Sequence, residues 1–544
     1  MANQDELHWA TLWEDVTDAV GDDVAIVEGA TRRTWSEFED RAARLASAFA
    51  ATGLGRGAKV AQYLFNSAAY AESWFATLKV RGVPVNVNYR YLADELLYLL
   101  ANSDAEALVF HSSLGEHVAA IRDRAANIRL FVEVDDGASG QVPGAMRYED
   151  LLADNRAAPR IARSERDQVM TYTGGTTGLP KGVVGRIGPG VRGLLAAVPP
   201  LVGEPPVTNL AEAAETAARL AAEGRRLIGL AACPLMHGTG MVIGMQTPLL
   251  LGGAMVLLEN RRFDPHEVWD LVEAEGVQVI AIVGDPFARP LLRALDEDAA
   301  AGRGRQLGTV RFISSSGAMF STEVKTGLLE HLPQGTILDY ISSTEGLMGA
   351  SISRRGAVAV TGRFHPVPGV GVLDEGGSAV RPGSGEIGLV ALSGGVPDAY
   401  YKDDAKSAAT FREVDGIRLS FPGDWATVEA DGSITLLGRG SQCINTGGEK
   451  VFPEEVEEVV KRHDAIEDCL VFGVHDDRFG QRVVAVASRR RGHSTSESDV
   501  LAQAKVSLAG YKVPRTIRFV TEVPRTSSGK ADYPAARQLF EANQ

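Results

Sequence analysis

The chain has 544 residues, more than a single hydrophobic core serves, since cores stop growing at roughly 250–300 residues. Its 45% hydrophobic and 23% charged residues are those of a globular protein, and a formal charge of −15 without a long basic run argues against nucleic acid or anionic lipid as a partner. Cys233, Cys443 and Cys469 are odd in number and form no C-x-x-C pair, which excludes a four-cysteine zinc site or a CxxC redox couple and fits a reducing, cytoplasmic setting.

The first residues, MANQDELHWATLWEDV, carry acids where a signal peptide would have a basic region and an apolar run, so none is expected. Short apolar runs then alternate with helical patterns: KVAQYLF, AAYAESWFATLKV and VPVNVN early on, VQVIAIVG, PFARPLLRAL and TVRFISSSG later. That rhythm predicts strands joined by helical crossovers in a mainly parallel α/β sheet, with ligands at the carboxyl ends of the strands.

The stretch TYTGGTTGLPKGVV, residues 171–184, follows one such run. Gly174 and Gly175 let the backbone bend so that successive N–H groups face one concavity. Thr173, Thr176 and Thr177 add hydroxyls and Lys181 a point charge, so the loop suits a phosphate. It lacks the Gly-Lys-Ser/Thr ending of a Walker A loop, and an ordinary flexible turn remains the alternative. Residues 185–226 read as Gly/Pro-rich turns followed by LAEAAETAARLAAEGRR, a surface insertion more readily than a lid. Residues 227–258 are apolar but interrupted by Pro234, His237, Gln246 and Pro248. They read as a buried strand, helix and strand, and no membrane span is expected.

DYISSTEG places Thr344 and Glu345 after the run TILDY, where a carboxylate suits Mg²⁺ beside a phosphate. Residues 362–430 have the short strands and frequent turns of a β-rich subdomain, and SFPGDW presents Asp424 after a turn, suited to accepting hydrogen bonds from ribose hydroxyls. GRGSQCINTGGEKVFPEE carries Arg439, Gly447, Gly448 and Lys450; a helix with Pro453 at its start, two apolar strands, a second helix and TIRFV then make a small α+β domain. PRTSSGKADY sets Lys530 on a Gly/Ser turn able to reach another domain. Taken singly, Glu345 reads more readily as a surface acid, Asp424 as a turn former and Lys530 as a solvated tail.

The order and spacing of these five segments resemble the adenylate-forming superfamily of acyl-CoA synthetases, luciferases and peptide-synthetase adenylation domains, over nearly the whole chain. TYTGGTTGLPKGV, GDPFARPL, DAYYKDD, GRGSQCINTGGEKVFPEEVE and AGYKVPR are most similar to fatty-acyl, steroid and terpenoid-acid CoA ligases. The resemblance implies a large N-terminal α/β domain over 1–437, with mainly parallel sheets and a β-rich subdomain. It further implies a hinge at 438–442 and a small mobile α+β domain over 443–544. The implied activity is an acyl-CoA ligase that joins a bulky apolar carboxylic acid to coenzyme A through an acyl-adenylate, using ATP and Mg²⁺.

By motif match, Thr173, Gly174, Gly175, Thr176, Thr177 and Lys181 would embrace the β/γ-phosphates, and Thr344 the α-phosphate. Glu345 would hold Mg²⁺, and Ser316, Gly317 and Ala318 would face adenine. Asp424 and Arg439 would take the ribose, and Lys530 would neutralise charge during adenylation. Gly447, Gly448 and Lys450 would form the face presented to the thiol after the small domain rotates, and His237 would line or gate the acyl pocket, with Met236, Met241, Met245 and Met319 as its apolar wall. Arg489, Arg490 and Arg491 read as a solvated charge run or as contacts to CoA phosphates. Four positions depart from the pattern: Ser441 at the pivot, Ser342 in place of a glycine, and Gly185 with Ile187 where an aromatic residue and a histidine are expected near the nucleotide. Ser342, Gly185 and Ile187 motivate one alternative, a ligase that receives acyl-adenylate from a separate adenylating enzyme; a non-catalytic acyl-adenylate or AMP sensor is an alternative of a different class. A homodimer is compatible with either.

Overall fold

The computed structural model describes residues 6–138, 142–173, 180–374, 376–439, 442–446, 449–476, 479–526 and 529–542, without the side chains of Arg439, Asn445, Glu449 and Lys450. The near-continuous apolar runs become strands because helices cover both faces of a parallel sheet; Ala254–Leu257 and Val279–Ile282 are buried at every position. They belong to a fifteen-stranded sheet whose parallel part runs Val24–Glu28, Ala254–Leu257, Ile228–Ala231, Val279–Ile282, Phe312–Ser316 and Thr336–Ser343. The sheet turns antiparallel at Gly346–Arg354 and continues through the β-rich strands as far as Phe411–Val414.

A second sheet has eight strands. Lys59–Tyr63 pairs in parallel with Val83–Asn86 and Ala105–His111, and Gln168–Thr173 joins Lys181–Arg186 antiparallel. Side chains of both large sheets, among them Val60, Val109, Leu230 and Ile280, meet in one continuous core. Aromatic rings are concentrated there, with the Trp13 and Phe75 centroids 5.2 Å apart. The third sheet contains Ile466–Asp476, Gly480–Arg489 and Thr516–Val520. Along Ile466–Asp476, Cys469 and Val471 enter one apolar cluster while Leu470 and Phe472 enter another, so a sheet with period-2 alternation is covered on both faces.

Residues 185–226 are mostly helical and packed on the main core instead of standing out as a turn-rich surface segment. Ile187–Ala197 is a helix despite its Gly-Pro-Gly start, because Pro189 falls in the first turn, where a missing N–H breaks no intrahelical bond. Leu210–Ala222, capped by Asn209, buries Leu210, Ala213, Ala217 and Leu220 in the main core. In residues 227–258 the middle segment, Gly240–Gln246, winds as a π-helix that continues into Thr247–Leu249. Gly244 permits its approach to the sheet, since a Cβ there would stand 2.7 Å from that of Ala231. Among the described residues no helix is long and apolar enough to cross a membrane.

A buried ionic cluster ties the amino-terminal helix to this core. Glu14 accepts 2.7 and 2.8 Å hydrogen bonds from the Arg163 guanidinium and a 2.6 Å bond from Lys79. All three side chains are at most 3% exposed. Removing one partner from such a cluster typically costs about 3–5 kcal/mol, because charge is left uncompensated in the interior. Arg163→Met is expected to destabilise the protein by that amount in denaturant unfolding of the large domain, and a loss below about 1 kcal/mol would contradict the account.

Candidate active site

Three loops leave the carboxyl ends of parallel strands on one side of the large domain. Phe312–Ser316 ends in Ser316, Gly317 and Ala318; Thr336–Ser343 ends in a two-residue hairpin turn made of Thr344 and Glu345; and Gln168–Thr173 ends in Thr173, opposite Lys181. Gly317 has φ +96, a conformation that side chains rarely adopt. A Cβ there would lie 3.4 Å from Lys530 Cε and 3.8 Å from Thr239 Oγ1. The carboxyl-terminal segment thus brings Lys530 against the end of a large-domain strand. The tight turn around Lys530 is fixed by N–H bonds from Gly529 to Thr526 O, 2.9 Å, and from Thr526 to Lys530 O, 2.8 Å.

Two ion pairs bridge from this domain to the large one: Arg293 with Glu467, and Arg490 with Glu323 at 2.8 Å. Arg490 is therefore a cross-domain contact and not part of a solvated run. Arg489 stacks over Phe519, 3.5 Å from its ring centroid, and with Arg491 lines a cleft of about 1060 Å³ between the domains. Arg90, Arg262 and Arg289 face the same cleft from the large-domain side.

At the hairpin, the Tyr400 hydroxyl donates to a Glu345 carboxylate oxygen in a very short hydrogen bond. Among the described residues no group of three His, Cys, Asp or Glu side chains forms a metal cage. A lone carboxylate of this kind fits Mg²⁺, which is commonly held by one or two carboxylates together with substrate phosphates. Lys181 Nζ lies 2.5 Å from Asp403, with both side chains partly exposed. Such a pair is worth little and yields readily to a phosphate. Asp424 is buried and opens the strand Asp424–Val428 directly opposite Arg439.

Ser342 stands beside this centre, its Oγ 2.6 Å from Ser316 Oγ, so the hydroxyl that replaces the expected glycine bonds to the strand end next to Gly317. Gly185 and Ile187 lie elsewhere. Gly185 pairs with Val169, four residues back from Thr173, and Ile187 is buried in the core. At about 3.4 Å per residue, Gly185 sits roughly 13 Å from the phosphate-loop end of its strand. Neither residue stands at the phosphate-loop end of the strand. Met236 and Met245 are core residues, whereas Met241 lines a small chamber behind the site.

His237 begins the turn before the π-helix. Its Nε2 is buried and has no hydrogen-bond partner among the described residues, and burial, followed by the Lys530 and Arg90 charges, pushes its pKa down to about 3. The ring is neutral at physiological pH. Gly174, Gly175, Thr176, Thr177, Ser441, Gly447 and Gly448 lie outside the described residues, as do the side chains of Arg439 and Lys450. Sequence reasoning missed Tyr400, Asp403 and Asn86. Asn86 donates to Tyr172 O and Met236 O at 2.9 and 2.6 Å, tying the phosphate-loop strand to the segment before His237. Tyr400 and Asp403 lie in DAYYKDD, a stretch whose similarity was visible but whose side-chain roles were not.

A parallel sheet whose loops gather a hydroxyl-rich strand end, a hairpin carboxylate and a lysine from a second domain defines an adenylate-forming enzyme. Residues 13–395 match the AMP-binding enzyme family and residues 455–530 match the AMP-binding enzyme C-terminal domain, and the chain belongs to that family. It is an acid–thiol ligase of the acyl-CoA synthetase type, with ATP and coenzyme A as its co-substrates. The 3-oxocholest-4-en-26-oate–CoA ligase of Rhodococcus rhodochrous is 39% identical over 537 residues, covering 98% of this chain and 95% of that protein. A medium/long-chain-fatty-acid–CoA/3-oxocholest-4-en-26-oate–CoA ligase of Mycolicibacterium smegmatis is 37% identical over 540 residues, covering 98% and 97%. The fold is also that of the anthranilate CoA ligase AuaEII in complex with anthranoyl-AMP, at TM-score 0.84 and 21% identity, with 99% of this chain and 98% of that one covered.

Burial also holds His8 at about 3 and His111 at about 4, each accepting a backbone N–H bond through Nδ1. All three histidines stay neutral when folded but take up a proton below about pH 6.5 when unfolded. Their contribution is complete above that pH and is lost as pH falls toward 4, by up to about 1.4 kcal/mol per histidine per pH unit. The melting temperature is expected to fall from about pH 6.5 downward, less steeply in His111→Asn. An unchanged slope in that variant would show that His111 is not held neutral.

Proposed function

We propose that the protein activates a large, mostly apolar carboxylic acid as its CoA thioester, with the named loops dividing the work. The observation that carries this reading is Lys530 lying against Gly317, beside the Ser316–Ser342 hydroxyl pair. Adenylation brings the carboxylate of the acid to the α-phosphate of ATP, so two anions must approach each other. A fixed cation between them lowers that barrier by electrostatic preorganisation. In this reading Lys530 supplies the cation and Thr344 hydrogen-bonds the α-phosphate. Thr173 and Lys181 take the outer phosphates, while Asp424 orients the ribose. Glu345, steadied by Tyr400, holds Mg²⁺, whose role is to neutralise phosphate charge.

Thioester formation needs the thiol where Lys530 now lies, which requires the small domain to turn away. His237, neutral and at the mouth of the apolar region, borders the path of acyl group and thiol. The names of the relatives support a steroid or fatty acid as the acid.

ATP–pyrophosphate exchange across a panel of fatty, aromatic, steroid and diterpenoid acids, with parallel assays of thioester formation, tests the reading. Lys530→Ala is expected to lower exchange by about 10²–10³ while retaining thioester synthesis from supplied acyl-adenylate. Equal loss of both half-reactions would contradict the assigned role, and wild-type thioester formation from supplied adenylate alone would contradict a complete ligase.

A further inference from the structure

Between the strand Ile228–Ala231 of the fifteen-stranded sheet and the π-helix Gly240–Gln246, residues 232–237 pass the carboxyl ends of strands in the eight-stranded sheet. This segment has left its own ladder, so its backbone groups need partners from elsewhere. Two asparagines of the other sheet supply them. Asn66, three residues beyond Lys59–Tyr63, accepts the Leu235 N–H through Oδ1 at 2.7 Å and donates through Nδ2 to Cys233 O at 3.0 Å. Asn86, the last residue of Val83–Asn86, donates through Nδ2 to Met236 O at 2.6 Å.

Asn86 has a second set of bonds. Its strand pairs with Gln168–Thr173 at Val85–Met170, and beyond that pair the side-chain amide continues the contact, accepting the Tyr172 N–H at 2.7 Å and donating to Tyr172 O at 2.9 Å. Thr173, where the phosphate loop begins, is the next residue. Among the described residues the side-chain bonds of Asn66 go to 231–235 alone. An N–H only donates and a carbonyl only accepts, so each amide has one possible orientation.

The segment held in this way is a wall of the reaction site. Cys233, Pro234 and Asn66 line the cleft between the domains together with Thr526 and Gly529, from the turn that carries Lys530. Gly240 packs against its other side, where a Cβ would stand 2.2 Å from Pro234 O. His237 ends the segment, its N–H bonded to Pro234 O at 3.2 Å, and Lys530 is near enough for its charge to act on the ring.

We infer that Asn66 and Asn86 are positioning residues that act through His237, and that Asn86 also places Thr173; this rests on the acyl-CoA ligase reading. A shift of His237 alters the path of acyl group and thiol, whereas a shift of Thr173 alters the hold on the outer phosphates. Asn66 therefore governs acid and CoA, and Asn86 governs acid, CoA and ATP.

The test measures KM for acid, CoA and ATP in Asn66→Asp and Asn86→Asp, each alone and combined with His237→Ala. Aspartate keeps the shape and the accepted N–H bond but has no proton for the carbonyl oxygens. Both variants are expected to raise KM for acid and CoA by about ten-fold, and Asn86→Asp alone to raise KM for ATP. In the His237→Ala background neither is expected to raise KM for acid or CoA further, while the ATP effect of Asn86→Asp persists; a merely structural role would add independently. Asn66→Ser and Asn86→Ser, which bring no charge, complete the same cycle where an aspartate variant does not fold. Additive losses in the His237→Ala background, equal ATP effects in the two variants, or unchanged KM values in these variants or in His237→Ala overturn this inference alone. Absence of adenylation and thioester formation with every acid in the wild type overturns the ligase reading, and this inference with it.

Discussion

The site depends on a close approach between two domains at a residue without a side chain. Gly317 follows a central strand with φ +96, and Lys530 packs at contact distance from where a Cβ would project. In the proposed mechanism two anions react there, and a lysine from a second domain supplies the cation held between them. The same cation obstructs a thiol. The chemistry therefore requires a contact that is close and reversible, and the pairing between domains is of that kind: partly exposed ion pairs, Arg490–Glu323 and Arg293–Glu467, which are individually weak in water.

Rigid elements on the large-domain side make such a loose contact precise. Ser316, Thr344 and Thr173 stand at the ends of strands packed into a continuous core, and Asn86 ties two of the converging segments together by hydrogen bonds to backbone oxygens. The π-helix begins three residues after His237 and carries the chamber residues Met241 and Gln246 along its length.

Much of this was legible in the sequence because the signals were local. Apolar runs with helical spacing announced the strands and crossovers, and glycines with hydroxyl residues announced the loops. Where signals were long-range, they were silent. Tyr400 meets Glu345 across 55 positions, and Lys181 meets Asp403 across 222, and neither pairing leaves a trace in spacing. Gly-Pro-Gly at 188–190 misled because a helix accepts proline in its first turn. Ser342 was correctly singled out as an added side chain; that its hydroxyl would bond Ser316 became visible only in three dimensions.

The most direct test of the central claim is to put a side chain where the two domains meet and assay the half-reactions separately. In Gly317→Ala, pyrophosphate exchange is expected to fall by about 10²-fold, because a side chain is strained at φ +96 and the strand end against which Lys530 packs must shift. Thioester formation from synthetic acyl-adenylate, which proceeds with Lys530 withdrawn, is expected to change far less. Equal loss in both assays, or no loss in exchange, would contradict the claim that this bare strand end is what adenylation depends on.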